Sequence, residues 1–148
     1  RCLIEKRLTG DWREMTLVLP EGRVVHRMIL LLGLGRTNEY GYLRLRELAP
    51  HLLMTLKRLD TSNVCLSLPC AESYNVDCGK LAEVLIEGIV DCLDLDQYSF
   101  DQEWIRNLRL FFAEGDEHFS ELLLGIQTAK SILEERIQIE IFVSSESA

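Results

Sequence analysis

The residues best placed to meet a ligand are Gly33-Leu34-Gly35-Arg36-Thr37-Asn38, a glycine-bearing turn that follows an apolar run and precedes a helical pattern. Such turns aim backbone N–H groups and a helix N-terminus at an anion, and ligands of open α/β sheets gather at this strand end. Gly33, Gly35 and Arg36 are therefore the candidate ligand-binding loop. The third glycine of a dinucleotide fingerprint is missing, as is the Lys-Ser or Lys-Thr ending of a P-loop. A plain tight turn accounts for the same residues and is the favoured reading.

Other reactive types are scattered. Asp94 with Asp96, Asp116 with Glu117, and Glu134 with Glu135 offer paired carboxylates for acid/base work or a hard cation. They fall at helix ends and on polar faces, where capping and solvation explain them. The five cysteines, Cys2, Cys65, Cys70, Cys78 and Cys92, are odd in number and contain no Cys-x-x-Cys pair. Buried cytosolic thiols are the expectation. His26, His51 and His118 lie far apart and near none of the cysteines, so the spacing of a zinc site is lacking. Ser67, Cys65 and Cys70 have no histidine nearby in sequence and no nucleophile elbow around them. No catalytic residue, metal or cofactor is expected.

Apolar periodicity shows what would position these groups. Arg1–Arg7 mixes charge with apolar residues as an amphipathic helix does, without a cap before it, which suggests a chain whose upstream part is missing. Thr9-Gly10-Asp11 is a turn, and Met15–Pro20 reads as a strand. Glu21-Gly22-Arg23 turns into Val24–Gly33, whose unbroken apolar second half predicts a strand covered on both faces at the centre of the sheet. From Glu39 to Asp60, Leu45, Leu48, Ala49, Leu52, Leu53, Leu56 and Leu59 recur at helical spacing, and Pro50 predicts a kink or break. Asn63–Pro69 is the next strand, and Asp77 can cap a helix carrying Leu81, Ala82, Leu85, Ile86, Ile89 and Leu93 inward. Trp104–Phe112 alternates as a strand closed by Gly115-Asp116, with Asp116 as a cap. A last helix over Glu117–Arg136 buries Phe119, Leu122, Leu123, Ile126, Ala129 and Leu133. Ile137–Val143 then alternates as a strand, and at a sheet edge it would invite self-association. The polar Ser144–Ala148 tail is expected to fray. Strands separated by helices imply an α/β fold with helices on both faces of a mixed, mostly parallel sheet.

Composition narrows the classes of function. The 148 residues suit one domain, and no apolar run approaches the roughly 20 residues needed to cross a bilayer. The N-terminus lacks the order of a secretory signal, so a cytoplasmic protein without membrane attachment is expected. The net charge of −8 divides unevenly: residues 1–60 hold 11 basic and 7 acidic side chains, residues 61–148 hold 5 and 17. Nucleic-acid surfaces are usually strongly basic, so no nucleic-acid partner is expected.

Thr16-Leu17-Val18-Leu19-Pro20, Met28-Ile29-Leu30-Leu31-Leu32-Gly33-Leu34-Gly35, the leucine-rich helix and Val64-Cys65-Leu66-Ser67-Leu68-Pro69 together resemble the N-terminal domain of the leucyl aminopeptidase family. Glu87-Gly88 and the patch Gln97-Tyr98-Ser99-Phe100-Asp101 extend the resemblance, which spans about Leu3 to Glu135. It implies a three-layer, macro-domain-like α/β/α fold over residues 1–148 as a single domain, without its first strand, and a part in hexamer assembly. The family's Asn-Thr-Asp-Ala-Glu-Gly-Arg-Leu signature and its metal-holding lysine and aspartates are absent from this sequence. The resemblance thus implies a non-catalytic assembly or regulatory module that self-associates or binds another protein. The alternative is a macro-type binder of a nucleotide or ADP-ribose-like ligand, using Gly33, Gly35 and Arg36, although the asparagine-rich strand end and glycine-rich phosphate loop of such binders are lacking.

Overall fold

The computed structural model describes residues 8–22, 27–113 and 116–143. The opening helix expected over Arg1–Arg7, the first residues of the expected Val24–Gly33 strand, Cys2, His26, Gly115 and the Ser144–Ala148 tail lie outside them. The chain is a mixed α/β protein that divides into two compact units, Arg1–Tyr40 and Gly41–Ala148.

In the first unit, β1 (Met15–Val18) pairs antiparallel with β2 (Ile29–Leu32) in a two-stranded sheet, Met15 opposite Leu32 and Val18 opposite Ile29. The expected central strand is therefore corrected. Among the described residues β2 pairs with β1 alone, and all four of its residues are only half-buried. An unbroken apolar run signals burial without saying how many strands flank it. Beyond the strands the ladder continues into the turns: Arg13 N–H donates to the Gly33 carbonyl at 3.0 Å and Gly33 N–H to the Glu14 carbonyl at 2.7 Å. The Glu14 carboxylate closes the preceding turn by accepting from the backbone N–H groups of Thr9 and Gly10.

In the second unit the order is α1 (Tyr42–Arg58), β3 (Asn63–Leu66), α2 (Cys78–Leu95), α3 (Gln102–Asn107), β4 (Arg109–Phe112) and α4 (Phe119–Leu133). The strands β3 and β4 pair in parallel, Asn63 opposite Arg109 and Leu66 opposite Phe112, so α2 and α3 form the crossover that parallel pairing requires. Asp77 caps α2, its carboxylate accepting from Lys80 N–H at 2.8 Å. α2 is buried on nearly every side because it packs against both α1 and α4. The expected stripes meet there: Leu45, Leu52 and Leu53 from α1, Leu81 and Leu85 from α2, and Leu122, Ala129 and Leu133 from α4 are all buried. Each fully buried leucine contributes about 1.5–3 kcal/mol.

Four expectations are corrected here. Of the kink or break expected at Pro50 the break is corrected, since α1 runs through Pro50 as one element. Trp104–Asn107 is helical: Asp101 caps a short helix, and Phe100, just ahead of the cap, stacks on Trp104 at 5.9 Å between ring centroids. Only Arg109–Phe112 of that segment is strand. Asp116 does not cap α4; it opens a 3-10 turn ending at His118, and Phe119 is 46% exposed. Ile137–Val143 forms no strand, because Ile137 and Ile139 satisfy their alternation by packing on Ile86, Val90, Ala129 and Leu133. The edge-strand route to self-association loses its structural basis with it.

At Gly79 and Gly125 the α2–α4 crossing leaves no room for a side chain. A Cβ at Gly79 would overlap the Glu121 carbonyl oxygen, and one at Gly125 would overlap the Gly79 backbone. Gly125→Ala is therefore expected to lower stability by about 1–3 kcal/mol or more, although alanine is the better helix former. Urea unfolding checks this, and a midpoint equal to or above that of the parent would contradict the close crossing.

Candidate functional site

Two helical faces that are not the core stripes meet in an open groove of about 440 Å³. From α1 come Leu43, Arg46, Glu47 and Pro50, and from α2 come Gly88, Asp91, Cys92 and Leu95, with Asp96 just beyond. Both sets follow the i, i+3, i+4, i+7 spacing that places residues on one side of a helix. The helices come together because Gly88 has no side chain: a Cβ there would stand 2.8 Å from both the Ala49 methyl and the Arg46 carbonyl oxygen. That carbonyl is the one Pro50 cannot serve, since proline has no N–H to return to residue i−4. Leu43 is 70% exposed and Leu95 89% exposed, so apolar surface flanks the groove on both helices.

An ion network lies along the groove. The Arg46 guanidinium donates to the Glu87 carboxylate at 2.8 Å and to that of Asp91, joining α1 to α2. Arg136, after α4, donates to Asp91 at 2.9 Å and to Asp94. Desolvation opposes the charged form of Asp91, but hydrogen bonds from Arg136 and Arg46 outweigh it and hold the carboxyl below its ordinary range. Glu87 is pushed the other way, first by desolvation and then by a hydrogen bond shared with Glu83, against the pull of Arg46. Glu83 is itself buried and accepts from Lys80 Nζ at 2.9 Å. Burial also raises the Cys92 thiol, helped by the Asp96 charge, so this groove thiol is a poor nucleophile.

The glycine turn is placed differently from a phosphate cradle. Gly33 N–H donates to the Glu14 carbonyl and Gly35 N–H to the Gly10 carbonyl at 3.0 Å, so both donors are spent on the segment that leads into β1. Gly33 is glycine because a Cβ would strike the Asp11 carbonyl, and Gly35 because its φ is +76°. Arg36 is exposed and precedes a 3-10 turn, Thr37–Glu39. The remaining candidates fall on different elements: Cys65 on β3, Cys70 after it, His51 in α1 and His118 ahead of α4. Asp94 serves Arg136, and Asp96 accepts from the Ser99 hydroxyl at 2.6 Å. Among the described residues no three His, Cys, Asp or Glu side chains are arranged to hold a metal ion. No described helix is long and apolar enough to cross a membrane.

No family model, curated protein or solved structure matches this chain. Its site must be read from geometry alone. The groove residues mix charge with apolar groups, so apolar periodicity alone does not single them out. The available signal was a second, mixed stripe on each helix, Leu43-Arg46-Glu47-Pro50 and Gly88-Asp91-Cys92-Leu95.

The two carboxyls make opposite contributions as pH falls. Glu87, with a raised folded-state value, binds its proton more tightly when folded, so stability rises as pH drops toward about 4.3. Asp91, with a depressed value, contributes stability above about pH 3.9 that is lost as pH falls through its folded value. Glu87→Gln is expected to flatten the acid-side rise while leaving the loss at lower pH. Thermal melts from pH 7 to 3 check it; an unchanged profile would show that Glu87 titrates normally.

Proposed function

We propose that this chain is a non-catalytic assembly or regulatory module of the leucyl aminopeptidase N-terminal pattern, a three-layer macro-domain-like α/β/α fold. It holds another polypeptide, a second copy or a protein partner, in the α1–α2 groove. The order strand, strand, helix, strand, helix, short helix, strand, helix supports the α/β part of this reading. The observation that carries the function is the exposure of Leu43 and Leu95 beside an open groove, since contiguous apolar surface rimmed by polar groups marks interaction sites. The spent donors of Gly33 and Gly35 favour this reading over an anion-binding loop.

Leu43→Ser combined with Leu95→Ser tests it, because both side chains point to solvent and their loss leaves the core intact. Light scattering and capture on immobilised protein are expected to show a polypeptide held by the parent chain and lost from the variant, with equal melting temperatures. A strict monomer whose captured material is identical on both would overturn the reading. A leucine anilide assay with added manganese or zinc is expected to stay at background. Turnover there would end the non-catalytic assignment.

A further inference from the structure

Building on the groove reading above, we infer that its occupant is a cationic amphipathic helix of a partner protein. The charge of the site selects the sign. Around the groove Glu47, Asp91 and Asp96 line the walls with one cation, Arg46, which is engaged by Glu87 and Asp91, and the neighbouring Arg136 is engaged by Asp91 and Asp94, so the carboxylates outnumber the cations. The surrounding unit carries the same bias: of the chain's 16 basic and 24 acidic side chains, 7 and 5 fall in residues 1–40, leaving 9 and 19 in residues 41–148. A field of that sign draws in lysine- and arginine-rich surfaces and repels anionic lipid, nucleic acid and another copy of a chain whose net charge is −8.

The walls select the shape. Apart from the Arg46 carbonyl, which Pro50 cannot serve, α1 and α2 direct their backbone N–H and C=O groups into their own helices, so the groove offers an incoming chain side-chain contacts and no ladder. An extended peptide would have to leave its own backbone groups unpaired against the apolar wall, at a cost that a helix avoids by bonding internally. A helix with leucines on one face can seat them between Leu43, Pro50 and Leu95, while lysines on its flanks reach Glu47 and Asp96.

The test is fluorescence anisotropy with the full chain and three synthetic peptides: a lysine–leucine amphipathic helix, the same composition scrambled so that no apolar face forms, and the glutamate–leucine counterpart. The first is expected to bind and to weaken with added salt, and the other two to bind at least about tenfold more weakly, a difference of about 1.4 kcal/mol. Glu47→Lys with Asp96→Lys is expected to reduce binding by a similar factor, as is Leu43→Ser with Leu95→Ser. Glu47→Gln alone supplies a milder variant if the double reversal unfolds. Equal binding of the scrambled peptide, which shows charge attraction without a groove, overturns the inference. So does equal binding of the acidic helix, or indifference to the rim variants. If the lysine–leucine helix fails while Leu43→Ser with Leu95→Ser still abolishes capture of a polypeptide, the groove reading stands and the cationic helix falls.

Discussion

The second unit depends on how closely α2 is approached by its neighbours. Gly79 and Gly125 bring α4 against α2 at backbone distance, and Gly88 does the same for α1 at Ala49 and the Arg46 carbonyl. Near-contact crossings of this kind gain dispersion along the whole line of approach and bury the leucines on either side of it. They also fix what cannot be covered. Once the Ala49 and Gly88 faces touch, the residues one helical step away, Leu43 and Pro50 on one side and Cys92 and Leu95 on the other, are left facing outward around a groove.

Electrostatics follow the same geometry. Arg46 reaches Glu87 and Asp91 because the crossing places α1 within one side-chain length of α2, and Arg136 closes on Asp91 and Asp94 because α4 ends beside them. These pairs are largely exposed, and exposed ion pairs contribute little to stability. Their importance lies in arrangement: they occupy the cations of this surface and leave its rim acidic.

Much of this architecture was legible in the residues. The stripes of α1 and α2, the cap at Asp77, the strands starting at Met15 and Asn63, and the turn glycines were all visible as spacing or backbone need. What was hidden depends on partners distant in sequence. Alternation at Ile137–Val143 does not state whether a ladder or a hydrophobic cluster will use it, and here Ile86 and Val90 supplied the cluster. Alternation at Trp104–Phe112 was overridden where Asp101 could start a helix and Phe100 could stack on Trp104. The Gly33–Arg36 segment follows β2, and the use of its donors by Gly10 and Glu14 belongs to chain pairing that spacing cannot reveal. The groove was missed because mixed stripes look like ordinary solvent faces until a second one is laid beside them.

Asp77 stands at a junction that links two events. Its carboxylate holds the first turn of α2, while its own N–H donates to the Tyr42 hydroxyl at the first turn of α1, at 2.9 Å. Unwinding of either helix start therefore strips a hydrogen bond from the other. The amide hydrogen bonds that close these two turns, Leu45 to Gly41 and Leu81 to Asp77, are thus joined through one residue, so the two helix starts are not independent of each other.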